Sequence, residues 1–413
     1  MEMKKICYLV ILAFLGTVNF CKAQWVQQTS GTNQTLNSVF CIKPDTVFAV
    51  GTTSTILKTT DGGNSWSSLY PTSIITTPFN SVYFVTSNIG YVAGKIAGQQ
   101  SGTYVINILK TIDGGASWTA INGIYGSNQG VMTSIYFNNV DTGYVVGYGN
   151  AGIWKTIDGG NTWSIHNNGP AYSSVFFPSL DTGYVCSGLV GFPGGKIYKT
   201  FDAGTNWTQQ LNITNPLNSI YFVNNNLGFS VGYAGTFYKT IDGGANWNPQ
   251  SLGTTTNLKS VRFIGANVGY IVGDSGLVLK TIDGGVNWIT QNSTTSNGLK
   301  SVFFADANTG YAVGVNGTII KTTSTTVLIS ENYFDNNITI SPNPFSTETT
   351  ISFSSEQKNT TIKIVNVLGC EILRFALNDK STTIDLSDVA KGIYFVRIED
   401  EKKNVVNRKI VVQ

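Results

Sequence analysis

The acidic side chains are the first candidates for chemistry in this 413-residue sequence. Glycoside hydrolysis generally needs two carboxylates that flank one bond. Residues 25–325 contain eleven aspartates, no glutamate, one histidine (His166) and one arginine (Arg262). An active site built on an arginine cluster cannot be assembled from this set. No Cys, His and Glu cluster has metal-ligand spacing, and no glycine-rich segment has the strand–loop–helix context of a phosphate site.

Six of the aspartates recur in one motif that sets the architecture. It reads KTTDGGNSW at Lys58–Trp66 and KTIDGGASW at Lys110–Trp118, and four more copies begin at Lys155, Lys199, Lys239 and Lys280. A seventh copy begins at Lys321 and lacks the Asp, the glycines and the Trp. Two apolar runs precede each copy, such as SVFF and GYAVG, and the first begins with a serine that recurs roughly every 44 residues, within the range of propeller blades.

Each period therefore predicts four short strands, A to D, of one propeller blade. The seventh period lacks strand D. Trp25–Gln28 reads WVQQ and resembles WTQQ at Trp207–Gln210. We expect this N-terminal strand to complete the seventh blade and to leave no unpaired edge. The predicted fold class is all-β, a seven-bladed β-propeller followed by a small immunoglobulin-like β-sandwich.

The repeated motif favours a structural role over a catalytic one. An aspartate accepts hydrogen bonds from N–H groups of its own turn, Gly-Gly supplies unusual backbone conformations, and the Trp ring fills space between blades. Structural roles are therefore predicted for Asp61, Trp66, Asp113, Trp118, Asp158, Trp163, Asp202, Trp207, Asp242, Trp247, Asp283 and Trp288. The lysine before each motif is expected to pack its alkyl stem along a blade edge with its charge in water; a seven-fold ring that binds an anionic partner is the alternative.

The other five aspartates do not form a predicted catalytic pair. Asp45, Asp141 and Asp181 occupy the A–B turn, in a slot that asparagine fills in the other blades, so an Asx turn explains them. Asp274 falls in a B–C loop and Asp306 in an A–B turn, which lie on opposite faces of a propeller. We therefore predict no catalytic residue, no metal site, no cofactor and no enzyme activity.

DGGxxW is the pattern of the Asp-box, or BNR, repeat. With the preceding GYxVG and GTIxKT elements, residues 25–325 resemble the photosystem II assembly and stability factor family. This resemblance implies a propeller that binds other proteins. Some Asp-box propellers are glycosidases, so a carbohydrate-active hydrolase remains the alternative, and a surface adhesin is a third reading.

Loop lengths point to one face for binding. The A–B and C–D turns have constant lengths, whereas the B–C and D–A connections vary, most of all between Gly94 and Lys110 and between Ser187 and Lys199. Variable loops on a rigid scaffold carry function, and exposed aromatic residues favour binding. The candidate partner-binding residues are Tyr70, Gln99, Gln100, Tyr104, Tyr125 and Phe192; neutral loop drift would also explain the variation.

The two ends of the chain predict an export route. Lys4 and Lys5 precede an apolar run to Leu15, and Cys21-Lys22-Ala23 offers a cleavage site, so residues 1–23 are predicted to be a signal peptide. SPNPF at Ser341–Phe345, VNVLG at Val365–Gly369, KGIYF at Lys391–Phe395 and the closing KIVV resemble the type IX secretion sorting domain. We assign residues 24–325 to the propeller, 326–337 to a linker and 338–413 to this domain.

The predicted function is a secreted or cell-surface binding or scaffold module, either released or attached to the outer-membrane surface after periplasmic transit. The resemblance of the tail implies the type IX secretion machinery as one partner, and an unknown protein or glycan as the ligand of the propeller. The net charge of +3 shows no basic stripe, so nucleic acid is not expected. No transmembrane span is expected. Cys41, Cys186 and Cys370 are too few and too widely spaced for a disulfide framework.

Overall fold

The structure is a computed structural model that describes residues 25–69, 77–95, 97–100, 103–105, 108–121, 130–149, 152–167, 169, 171–188, 194–323, 338–353, 356–357, 359–366, 371–399 and 405–413. The chain divides into a unit over residues 23–324 and a unit that contains residues 325–413. Each is described by itself.

Seven four-stranded antiparallel sheets make up the first unit. β1 (Trp25–Gln28) comes before blade 1, whose strands A to D are β2 (Leu36–Lys43), β3 (Thr46–Gly51), β4 (Ile56–Thr59) and β5 (Ser67–Ser68). Blade 2 has β6 (Phe79–Phe84), β7 (Gly90–Gly94), β10 (Ile108–Thr111) and β11 (Thr119–Ile121), with the extra strands β8 (Ala97–Gln100) and β9 (Thr103–Val105). Blade 3 has β12 (Val131–Phe137), β13 (Gly143–Tyr148), β14 (Ile153–Thr156) and β15 (Ser164–Asn167).

The later blades repeat this order. Blade 4 has β16 (Tyr172–Phe176), β17 (Gly183–Ser187), β18 (Gly195–Thr200) and β19 (Thr208–Ile213). Blade 5 has β20 (Leu217–Phe222), β21 (Gly228–Gly232), β22 (Phe237–Thr240) and β23 (Asn248–Pro249), and blade 6 has β24 (Leu258–Ile264), β25 (Val268–Gly273), β26 (Val278–Thr281) and β27 (Ile289–Gln291). Blade 7 has β28 (Leu299–Phe304), β29 (Thr309–Gly314) and β30 (Ile319–Thr323). One-turn 3-10 helices at Tyr233–Gly235, Asp274–Gly276 and Val315–Gly317 follow strand B in blades 5 to 7.

The N-terminal strand completes the seventh blade, as the sequence predicts. β1 pairs antiparallel with β30, with Trp25 opposite Thr322 and Gln28 opposite Ile319. The Trp25 side chain is fully buried and meets Tyr270 of blade 6 and Phe304 of blade 7 edge-on, at 6.1 and 6.3 Å between ring centroids. Residues about 290 positions apart therefore share one sheet, which joins the two ends of the repeat region.

The A strands lie at the centre, each against the A strands of both neighbouring blades. A seven-fold set of hydrogen bonds joins them, in which the serine Oγ of one A strand accepts from a backbone N–H of the next at 3.2–3.4 Å. The pairs are Ser38 with Val82, Ser81 with Ile135, Ser134 with Val175, Ser174 with Ile220, Ser219 with Val261, Ser260 with Val302, and Ser301 with Val39. The last pair links blade 7 to blade 1.

Apolar clusters between neighbouring blades supply the core. The cluster of blades 7 and 1 joins Tyr311 and Val313 to Leu36, Val39 and Ala49. Six further clusters of the same kind connect the other neighbours in order around the unit. Cys41 and Cys186 are buried free thiols, and burial raises the pKa of both, that of Cys186 to about 12. Both cysteines are thus small apolar residues of the core.

The second unit is a β-sandwich of a three-stranded and a four-stranded sheet. Its strands are β31 (Ile338–Ser341), β32 (Glu348–Phe353), β33 (Thr360–Asn366), β34 (Glu371–Leu377), β35 (Ser381–Asp385), β36 (Gly392–Glu399) and β37 (Val405–Val412). Asn343 of the SPNPF segment donates to the Lys409 carbonyl at 2.8 Å and accepts from the Val411 N–H at 2.9 Å. Phe345 is buried in the single core of this unit, so the motif fastens the last strand.

No helix in the described part of the chain has the length and apolar character that a membrane crossing requires.

Candidate functional site

The motif aspartates are engaged within their own turns. In blade 1 the Asp61 carboxylate accepts from the Thr59 hydroxyl at 2.7 Å, the Ser65 N–H at 3.0 Å and the Ser65 hydroxyl at 2.6 Å. The Thr59 hydroxyl oxygen also accepts from the Gly63 N–H at 2.8 Å. The same pattern recurs at Asp113, Asp158, Asp202, Asp242 and Asp283. In the six intact motifs the threonine of the Lys-Thr pair, which the sequence analysis left without a role, is therefore the buried centre of the turn.

These hydrogen bonds favour the ionised carboxylate and lower the pKa of each motif aspartate. For Asp61 the chief cause is the Ser65 hydroxyl, and for Asp202 it is the Asn206 N–H; the pKa of each is about 2. At Asp283 partial burial raises the pKa, but the hydrogen bonds from Asn287, Thr281 and Val286 together outweigh it, and the pKa is again about 2. A general acid for glycoside cleavage needs a raised pKa, so these six carboxylates have the opposite property.

The lowered pKa values predict that the propeller loses stability in acid. Each carboxylate has a lower pKa in the folded chain than the roughly 3.9 of an unfolded aspartate, so its contribution is complete above about pH 4 and is lost as the pH falls towards 2. The melting temperature should fall steeply over this interval, and the slope should be shallower in Asp202→Asn, which has one linked proton fewer. Thermal melts followed by tryptophan fluorescence test this, and a melting temperature that is flat between pH 4 and 2 would contradict it.

The motif lysines do not leave their charge in water, which corrects the sequence-based expectation. The ammonium group of one blade donates to a backbone carbonyl in the C–D turn of the next blade at 2.6–2.8 Å. The pairs are Lys58 with Gly114, Lys110 with Gly159, Lys155 with Ala203, Lys199 with Gly243, Lys239 with Gly284, and Lys321 with Gly62. These lysines tie neighbouring blades together, which removes the main ground for an anion-binding lysine ring.

The A–B turns also differ from the expectation. We predicted that Asp141 caps its own turn, but the Asn139 side chain, two positions earlier, accepts from the N–H groups of Asp141 and Thr142. Asp306 has that earlier position in blade 7 and accepts from Asn308 and Thr309. The residue at the predicted position instead accepts a hydrogen bond through its backbone carbonyl from the C–D turn of its own blade, as the Asp141 carbonyl does from the Gly159 N–H. Asp306 therefore has a structural role, whereas Asp141 does not act through its carboxylate.

The contacts of two further propeller acids, Asp274 and Asp306, do not bring their carboxylates to the two sides of one bond. Asp274 accepts from Asn257 at 2.9 Å and lies 3.5 Å from the Lys259 ammonium, in a B–C loop. Asp306 is in an A–B turn on the other face. His166 contacts the Ser164 hydroxyl at 3.0 Å, and burial lowers its pKa. Among the described residues no group of three His, Cys, Asp or Glu side chains could hold a metal ion.

The charged residues divide between the two ends of the propeller. We call the end with the A–B and C–D turns the turn face and the end with the B–C and D–A connections the loop face. Ten of the eleven propeller aspartates are on the turn face, and Asp274 alone is on the loop face. Lys95, Lys196, Lys259 and Lys300 lie at strand ends beside the loop face. The undescribed residues between 25 and 323 have no charged side chain, so this division holds for the whole propeller sequence.

The predicted partner-binding residues lie on the loop face or outside the described residues. The long blade 2 insertion forms a hairpin of β8 and β9, in which Ala97 pairs with Val105 and Gln100 with Thr103. Gln99, Gln100 and Tyr104 are on the strands of this hairpin. Tyr70, Tyr125 and Phe192 lie outside the described residues. Their role as a binding surface stays a prediction.

Seven side chains from the A strands form a ring around the central channel, which we call the collar. They are Phe40, Tyr83, Tyr136, Phe176, Tyr221, Arg262 and Phe303, one from each blade, two positions after the serine. Neighbouring aromatic centroids are 4.5–5.3 Å apart. The Arg262 Cζ is 4.9 Å from the Tyr221 ring centroid and 4.1 Å from that of Phe303, which completes the circuit.

The collar tyrosines are not placed to act as nucleophiles. Their hydroxyls donate to backbone carbonyls of the next blade: Tyr83 to Phe137 at 3.0 Å, Tyr136 to Phe177 at 2.8 Å and Tyr221 to Phe263 at 3.3 Å. Burial raises the pKa of Tyr83 and Tyr136. A tyrosine with a raised pKa and an occupied hydroxyl is a poor nucleophile.

Two family models match the sequence. Residues 339–413 match the secretion system C-terminal sorting domain, and residues 18–124 and 204–295 match photosynthesis system II assembly factor YCF48. The sorting domain indicates type IX secretion to the cell surface or the extracellular space. No curated protein gave a significant match.

Several solved structures share the fold. A structure titled "YCF48 bound to D1 peptide" is 20% identical with a TM-score of 0.59, over 72% of this chain and 94% of that one. The Niastella koreensis GH74 enzyme is 15% identical with a TM-score of 0.57, over 79% of this chain and 59% of that one. PorZ, a surface component of the type IX secretion system of Porphyromonas gingivalis, is 12% identical with a TM-score of 0.52, over 89% and 58%. At these identities the likeness concerns the fold alone.

Proposed function

We propose that this chain is a non-enzymatic binding module that is exported by the type IX route and engages a protein partner through its loop face. The proposal rests on the difference between the two ends of the propeller. The turn face has constant turns whose side chains are occupied by their own hydrogen bonds, as at Asp61 and Asp306. The loop face has the variable connections, among them the β8–β9 hairpin.

A peptide ligand is supported by one of the similar structures, whose title describes YCF48 with a bound D1 peptide. PorZ, by its title, is a surface component of the secretion system, so a propeller of this type also serves at a bacterial surface. The secretion machinery would be a second partner, reached through the sorting domain.

A carbohydrate-active hydrolase is the second candidate, because the Niastella koreensis GH74 enzyme shares the fold. It would need two convergent carboxylates. Asp141 and Asp181 are the strongest remaining acids, since their carboxylates are not the caps of their turns. They belong to different blades on the turn face, and their neighbours Asp158 and Asp202 in the same blades have lowered pKa values.

Site-specific photo-crosslinking separates these readings. A benzoylphenylalanine at Tyr104, on the β8–β9 hairpin, should give a discrete crosslinked product when the secreted protein is irradiated on the cells that export it. The matched control is the same label at Thr205, an exposed position of the turn face. Equal products at both positions, or none at Tyr104, would contradict loop-face binding. Turnover of a polysaccharide panel that is lost in Asp141→Asn would replace the proposal by the hydrolase.

A further inference from the structure

The collar contains one cation, Arg262, to which the described residues offer no hydrogen-bond acceptor and no paired carboxylate. The Arg262 guanidinium lies between the faces of Tyr221 and Phe303. A cation–π contact makes no use of the N–H donors of a guanidinium, so these donors stay available to other partners. Among the described residues, which include every acid of the propeller, we find no hydrogen bond from Arg262 and no carboxylate in an ion pair with it. The blade repeat itself does not require a charge here, since the other six blades have an aromatic residue.

Other charges near the axis are also positive. Lys259 and Lys300 are the second residues of the A strands of blades 6 and 7, at the channel end beside the loop face. Lys259 is paired with Asp274, and the nearby charge of Lys300 contributes to the lowering of its pKa, second to burial. The equivalent positions of the other blades are the neutral residues Asn37, Asn80, Thr133, Ser173 and Asn218. The channel therefore has a positive sector at blades 6 and 7, and its field attracts an anion from the loop face.

The collar is narrow. Seven groups spaced as these are form a ring with a radius of roughly 5.6 Å, and the width of the side chains themselves fills most of it at van der Waals contact. A group that reaches Arg262 must therefore be small and must arrive at the end of an extended chain. A carboxylate meets both demands and matches the fork of N–H donors of a guanidinium.

We propose that the collar is a carboxylate-binding site, in which Arg262 holds the anionic end of an extended ligand that enters from the loop face. The six aromatic rings exclude water from the ion pair and strengthen it. This inference rests on the proposed binding function and names the chemistry of its ligand. A C-terminal carboxylate and an acidic side chain present the same group, and the experiment distinguishes them.

Nuclear magnetic resonance of the arginine side chains tests the site with acetate as the probe. The chain has four arginines, Arg262, Arg374, Arg397 and Arg408. Each contributes one Nε–H signal, and Arg262→Met identifies the signal of the collar by its loss. Acetate should shift that signal saturably, with a dissociation constant of roughly millimolar order. Acetamide, a neutral molecule of the same shape, should not shift it.

Variants and peptides complete the test. Arg262→Met should weaken acetate binding about tenfold or more, and Arg262→Lys, which keeps the charge without the planar fork, should bind with intermediate affinity and guards against a folding defect. Lys300→Met leaves the collar intact and should weaken binding about two- to threefold at low salt. A neutral peptide with a free C-terminus, compared with its amidated form carrying an internal aspartate, separates the two carboxylate sources.

An Arg262 signal that does not move, or that moves equally with acetamide, would overturn the carboxylate site. These readings do not depend on the crosslinking result at Tyr104. Acetate binding without a crosslinked product would support the carboxylate site and contradict the loop-face partner. A crosslinked product without acetate binding would support the partner and contradict the carboxylate site.

Discussion

Replacing Trp25 by alanine is expected to lower the free energy of unfolding of the propeller by about 3–5 kcal/mol, the range for truncating a large buried aromatic side chain. Trp25 is fully buried and packs against Tyr270 and Phe304 in the cluster of blades 6 and 7. Its backbone pairs with Thr322, so the buried side chain anchors the strand that completes blade 7, and its truncation weakens that anchor. Because that strand supplies the outer edge of the blade, we expect the edge of β30 to become accessible as well.

Two substitutions of the same strand serve as controls. Trp25→Phe should cost less than about 1.5 kcal/mol, since it keeps an aromatic ring and the indole N–H of Trp25 is buried without a hydrogen-bond partner. Val26→Ala should have a small effect, because Val26 is 48% exposed. All eight tryptophans lie between residues 25 and 288, so tryptophan fluorescence in urea follows the propeller without the sorting domain. Equal destabilisation by Trp25→Ala and Val26→Ala would show that β1 does not anchor the seventh blade.

The repeat made most of the fold predictable. Because all seven blades have the serine and most have the GYxVG and Asp-box positions, one interpretation of the motif predicted seven sheets together. The similarity of Trp25–Gln28 to Trp207–Gln210 then predicted the pairing of β1 with β30, which the structure confirms. A single short apolar run could be a strand or part of a helix, and a pattern that recurs seven times removes this ambiguity.

Contacts between blades were less predictable, since a repeat shows what each blade contains and not what its neighbour offers. The charge of Lys199 was expected to lie in water while its stem packs along a blade edge, yet its ammonium donates to the Gly243 carbonyl of the next blade. The turn cap was assigned to Asp141, although Asn139 has the geometry for it. Both errors concern the choice of a hydrogen-bond partner, which neither a repeat pattern nor turn propensities specify.

The collar could have been found from the sequence. Arg262 was noted as the single arginine of the propeller, and its scarcity was used as an argument against catalysis. Aligning the seven A strands on their serines places Arg262 in a column with Phe40, Tyr83, Tyr136, Phe176, Tyr221 and Phe303. A charge in an otherwise aromatic column marks a departure from the repeat, and such departures are where function is to be sought.

A second set of aligned positions, a facing pair in strands A and B of each blade, explains both the glycine of GYxVG and Cys41. In six blades the glycine that begins GYxVG lies against a phenylalanine of strand A, as Gly228 does against Phe222. A Cβ on Gly228 would approach the Phe222 ring to 2.4 Å. In blade 1 the same pair is Cys41 opposite Val47. The total volume of the facing pair is similar in all blades, but in blade 1 the smaller side chain is on strand A and the larger one on strand B. The glycine in the other blades is therefore required because the facing phenylalanine ring fills the space, and not by backbone conformation.

Gly228→Val is therefore expected to destabilise the propeller by about 3 kcal/mol through overpacking. Phe222→Cys alone should cost about 3–4 kcal/mol, because it leaves a cavity beside Tyr184 and Trp247, which stack on and abut the Phe222 ring. The double variant copies blade 1, since the valine fills space that the ring vacated. It should be more stable than the sum of the single changes by about 2 kcal/mol or more.

The control cycle combines Gly228→Val with Phe304→Cys, whose phenylalanine faces Gly310 in blade 7. These two positions share no contact cluster, so their effects should add within about 0.5 kcal/mol. Urea unfolding of the three single and two double variants gives both coupling energies. If the Gly228 and Phe222 changes were additive as well, the exchange seen in blade 1 would be an accident of that blade. A favourable coupling found only for the facing pair would instead mean that the side chains of strand A and strand B in a blade are selected together. One blade could then change this pair while the neighbouring blades keep theirs.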